Sequence, residues 1–107
     1  MSSSVTYRRF SEYAGRFMRG MAEFLELFGR LVLAEGRAAP CVLLYGAADA
    51  ERKKIHMPLS PIERQERQMQ LDMAEKALGS ALYSKKWDEG YRMASKQAMD
   101  LATATLV

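Results

Sequence analysis

Cys41 and His56, the single cysteine and single histidine of this 107-residue chain, are its side chains best suited to nucleophilic or general-base work. A reactive cysteine needs a nearby base and electropositive surroundings. Cys41 lies instead between Pro40 and Val42-Leu43-Leu44, and reads as a small, buried apolar residue. His56 follows Lys53 and Lys54 with no acid beside it to orient the imidazole, so it reads as a surface or partly packed residue of a connector. Together the two cannot supply the Cys/His set of a structural zinc site, and one cysteine excludes an internal disulfide. No metal and no cofactor are expected. The carboxylates Asp72, Glu75, Asp88 and Glu89 alternate with Lys76, Lys85 and Lys86, the pattern of a solvated face rather than of an acid/base pair. Gly15 and Gly20 stand at the wrong spacing, and without a preceding strand, for either nucleotide-binding fingerprint. No constellation of reacting groups supports an enzyme, and the expectation is a non-enzymatic protein.

Sixteen basic against thirteen acidic residues leave a net charge of +3. Arg8 and Arg9, with Arg52, Lys53 and Lys54, could form a basic patch, which gives a second reading as a small nucleic-acid-associated regulator. The run has no interleaved aromatics, and residues 61–107 balance seven bases with seven acids, so nucleic acid is not expected as the main partner. Low cysteine usage fits a reducing, cytoplasmic location. No secretory signal is expected, although Arg8, Arg9, Arg16 and Arg19 among serines resemble a mitochondrial presequence in composition and keep that compartment as an alternative. The most apolar window, residues 17–34, is interrupted by Arg19, Glu23, Glu26 and Arg30, and no membrane span is expected.

The elements that would carry a contact surface are legible from periodicity. With 49% apolar and 27% charged residues, the chain reads as one all-α domain over residues 1–107. Phe10, Ala14, Phe17, Met21, Phe24, Phe28 and Leu31 recur at alternating spacings of four and three, beside a second row of Met18, Leu25 and Val32. A stripe of that width predicts a bundle-facing helix over about residues 5–35. Its polar stripe sets Glu12 with Arg16, Arg19 with Glu23 and Glu26 with Arg30 as pairs four apart. At about 1.5 Å per residue such a helix runs about 45 Å, longer than a domain of this size is wide. It must break or carry one end onto another chain.

Residues 39–54 read as a second helix with Pro40 in its first turn, although Cys41-Val42-Leu43-Leu44-Tyr45 alone would also suit a buried strand. Ser60-Pro61-Ile62-Glu63 is a capping box with proline at the first helical position, opening a helix over about 61–84. The expected apolar face there is Met69, Met73, Ala74, Ala77, Leu78, Ala81 and Leu82. After Ser84-Lys85-Lys86 a last helix over about 87–105 carries Trp87, Tyr91, Ala94, Ala98 and Leu101, packed against the third. Three or four helices are expected in all, arranged as a bundle.

Leu78-Gly79, Tyr83 and Trp87-Asp88-Glu89-Gly90 resemble one tetratricopeptide-type hairpin over about thirty residues. Because such repeats bury their faces only in arrays of about three, the resemblance implies a helical hairpin and no more. The functional expectation is therefore a protein-protein interaction module, self-associating or a small subunit of a larger assembly. Its expected interface is Phe10, Phe17, Met21, Phe24, Phe28 and Leu31.

Overall fold

A computed structural model describes residues 2–104, with side chains described from residue 16 onward. Five helices, rather than three or four, make up these residues: α1 Ser2–Ala34, α2 Ala38–Lys54, α3 Pro61–Leu78, α4 Ser80–Tyr91 and α5 Ser95–Ala104. The all-α class stands, and the 41–45 run is helix within α2.

The helix ends follow local chemistry. Gly36, at φ +82°, closes α1 in a left-handed turn, with its N–H donated to Leu33 O and the Arg37 N–H donated to Val32 O. The Ser60 box is formed: the Glu63 N–H donates to Ser60 Oγ at 3.2 Å and the Ser60 N–H donates to Glu63 Oε1 at 3.0 Å. The expected break at residues 84–86 is absent, because Ser84, Lys85 and Lys86 contain no breaker and α4 runs straight through them. The chain turns instead at Gly79, whose φ of +86° is open to glycine at little cost. A second interruption at residues 92–94 separates α5, which begins with the Ala94 N–H donated to Gln97 Oε1 at 3.1 Å.

α2 is the hub. Cys41, Val42, Leu44, Tyr45, Ala47, Ala48 and Ala50 are all buried, so this helix is covered nearly all round. Met21, Ala22, Leu25, Phe28 and Val32 of α1 bury against it. On another side, α4 approaches until backbones touch: a Cβ on Gly90 would lie 2.1 Å from Leu43 O, and one on Gly46 would lie 2.6 Å from Trp87 O. α5 brings Ala98 and Ala102 onto α1 and α2, not the expected seam against the third helix.

α3 presents a different face from the one its methionines suggest. Leu71 and Ala74 are buried, with Arg67, Gln70 and Leu78 half-buried beside them, while Met69 and Met73 are exposed. Small Ala74 admits close packing, and polar bonds to α2 fix the rotation: Tyr45 Oη donates to Gln70 Oε1, and Arg67 Nη2 donates to Asp49 Oδ1 at 3.2 Å.

Candidate functional site

The expected interface on α1 divides into two. Met21 and Phe28 turn inward with Leu25 and Val32, and Phe24 is half-buried with its ring centroid 4.5 Å from that of Phe28. Phe17 and Leu31 point outward at 70% and 47% exposure, joined by Leu27 at 44%. The division has a geometric cause. The described buried residues of α1 begin at Met21, so Phe17 lies before the packed stretch, while the drift of about 20° per seven residues on a straight helix turns Leu31 further from the buried line than Phe24. The side chain of Phe10 lies outside the described residues. Leu27 was absent from the expected set, and its signal is its place four residues before Leu31.

Of the expected basic patch, Arg52 turns inward while Lys53 and Lys54 stay exposed. Arg52 is buried, and its guanidinium donates Nε to Glu26 Oε2 at 2.7 Å and Nη2 to Glu26 Oε1 at 2.8 Å. Its Nη1 donates to Met57 O at 3.1 Å, tying down the connector after α2. That carboxylate holds the Arg52 guanidinium firmly in its charged form. Lys53 stands exposed, 4.0 Å from Asp49 Oδ2 and 5.0 Å from the Tyr91 ring centroid. Lys54 Nζ donates to Glu51 Oε1 at 3.2 Å. The side chains of Arg8 and Arg9 fall outside the described residues.

Capture of Glu26 by Arg52 also breaks the expected Glu26–Arg30 pair. Arg19 and Glu23 do pair, at 3.1 Å, and Arg30 is left exposed. Glu51 was not foreseen at all. It is 1% exposed, with Oε1 accepting from Ser95 Oγ as well as Lys54, and it ties α5 to α2. Nothing in a single sequence signals contacts 26 or 44 residues apart.

Cys41 is fully buried, and loss of hydration pushes its thiol up to about 12, so it stays protonated at neutral pH. His56 caps the end of α2 at φ +54° and is exposed. A cleft of about 300 Å³ lies between α1, α2 and α3, bordered by Glu23, Arg30, Tyr45, Leu59, Glu66 and Arg67. Among the described residues no group of three His, Cys, Asp or Glu is placed to hold a metal ion. No helix among them is long and apolar enough to cross a membrane. Comparison with protein-family models, with curated proteins and with solved structures finds no match.

Proposed function

We propose that this protein is a non-enzymatic, self-associating helical module that makes its contact through the outer strip of α1. One observation carries the reading: Phe17, Leu27 and Leu31 stand exposed in a line on one helix, beside half-buried Phe24. Large apolar side chains in a row along a polar-flanked helix are the usual mark of a surface that meets another protein. The non-enzymatic part rests on placement. The Cys41 thiol is buried and protonated, and His56 belongs to a different, exposed element. Two of the side chains that border the cleft between α1, α2 and α3, Tyr45 and Arg67, are engaged in structural bonds to Gln70 and Asp49. A role as a small subunit of a larger assembly would use the same strip.

Light scattering tests the reading directly. The molar mass should exceed 12.1 kDa at micromolar to millimolar concentration. A stable, folded species of that single-chain mass across the whole range would overturn it.

A further inference from the structure

α1 is 33 residues long, about 50 Å, whereas α2, its main support, has 17 residues and spans about 25 Å. The described α1 side chains that bury in the chain's own core run from Met21 to Val32. The rest of the helix, from Ser2 to Gly20, extends about 28 Å beyond that packed half. The molecule is correspondingly elongated at 56 × 31 × 21 Å, and its radius of gyration of 15.3 Å exceeds the roughly 13 Å of a compact chain of this length. Most helical stability in a protein comes from packing of the apolar face, so this extension depends on its apolar stripe being covered.

Resting on the reading of α1 as a self-association helix, we infer that the strip is covered by a second copy of the chain, laid antiparallel along α1 about a two-fold axis close to Met21. Length supports this arrangement. Antiparallel pairing about Met21 lays the extension of each copy along the outer strip of the other copy's packed half, and sets the two folded bodies at opposite ends. Phe17 then comes beside Phe24 of the second copy, and Leu27 and Leu31 lie level with the sequence positions of its Ala14 and Phe10.

Charge supplies the second argument. On the flank of the strip away from the core, the order along the chain is Glu12, Arg16, Arg19, Glu23, Glu26 and Arg30. About an axis at residue 21 the same flank of the second copy runs past it in reverse, so position 12 meets position 30 and position 19 meets position 23. Both pairings join an acid to a base, and symmetry makes each of them twice, the exposed Arg19–Glu23 pair of one copy lying against that of the other as a cluster of alternating charge. Arg30, which the Glu26–Arg52 bond leaves exposed, thereby meets the acid of the extension. Arg16 would also meet Glu26, but Arg52 already holds that carboxylate. A parallel pair would instead turn this charged flank against the folded body of the other copy.

Cysteine cross-linking in the full-length chain tests the register, because buried, protonated Cys41 stays out of the reaction. Gly20 is exposed, with nothing within 4 Å of where a Cβ would stand, so Gly20→Cys puts a thiol almost on the axis without disturbing the fold. Facing Cα atoms of two packed helices fall within the range of about 4.4 to 6.8 Å that a disulfide needs. Leu31→Cys places its two thiols about 30 Å apart along the pair. Under mild oxidation Gly20→Cys should therefore form a covalent dimer and Leu31→Cys should not. In a second measurement, Arg30→Glu should weaken association about five- to tenfold at low salt, with recovery in the Glu12→Arg, Arg30→Glu double variant. An oligomer in which Leu31→Cys cross-links, in which neither variant does, or in which the double variant recovers nothing overturns the antiparallel pairing and leaves self-association standing. A folded monomer at millimolar concentration overturns both.

Discussion

Replacing Glu26 by glutamine leaves the Arg52 guanidinium where it is, with side-chain exposure of 9%, and without a counter-charge. The pair is two-pronged at 2.7 and 2.8 Å, and Arg52 also holds Met57 O, so the loss reaches both α1 and the connector. Breaking one side of a buried pair costs about 3 to 5 kcal/mol, whereas replacing both partners by apolar groups of similar size costs far less. Urea denaturation should thus find Glu26→Gln destabilised by about 3 kcal/mol and Glu26→Leu, Arg52→Met by clearly less. Equal costs for the single and the double variant would mean that water reaches Arg52. The sequence shows why this pair could not be read in advance. Glu26 sits in a regular polar stripe with Arg30 four residues on, and local spacing predicts that partner. Only tertiary packing, which brings the end of α2 over α1, offers Glu26 a better one.

At the scale of elements, the Ser60 cap was legible because its chemistry is local, and its contribution should depend on pH. Hydrogen bonds from Ser60 to the Glu63 carboxylate hold that group below its ordinary value of 4.5. A carboxyl lowered on folding contributes stability that is present above the unfolded value and is lost as pH falls through the folded one. Thermal melts should show Ser60→Ala, which keeps the backbone N–H on the carboxylate, destabilised by about 1 kcal/mol at pH 7, and should show the gap between Glu63→Ala and the parent narrow from pH 7 to pH 3. A gap unchanged by acid would detach Glu63 from the cap.

The α2–α4 crossing makes the opposite case, since no local pattern announces that Gly46 stands against the Trp87 backbone and Gly90 against that of Leu43. Gly90→Ala would drive a Cβ into Leu43 O, 2.1 Å away, where only a shift of helices can relieve the clash. It should cost about 3 kcal/mol, at the upper end of the range for overpacked sites. The rotation of α3 was hidden for a related reason. Met69 and Met73 look like a buried stripe by composition, yet Ala74 and the bonds of Gln70 and Arg67 decide which side α2 receives. Hydrophobicity alone does not weigh close approach.

For the molecule as a whole, the seam of Phe10 to Leu31 carried two messages that the sequence could not separate, one for the core and one for the surface. Met21 and Phe28 belong to the core, Phe17 and Leu31 to the surface, and the boundary between them depends on where α2 sits. A substitution at Phe24 would therefore confound the two, because its ring packs on Phe28. Phe17 is the cleaner probe at 70% exposure. If copies associate through α1, association stabilises the folded state by mass action, and the melting temperature should rise with protein concentration. Phe17→Arg places an unpaired charge in the contact, so it should give a monomer whose melting temperature no longer depends on concentration, while the helical circular dichroism of the folded state is kept. A variant that melts at the parent's temperature at every concentration would show that the strip around Phe17 takes no part in assembly.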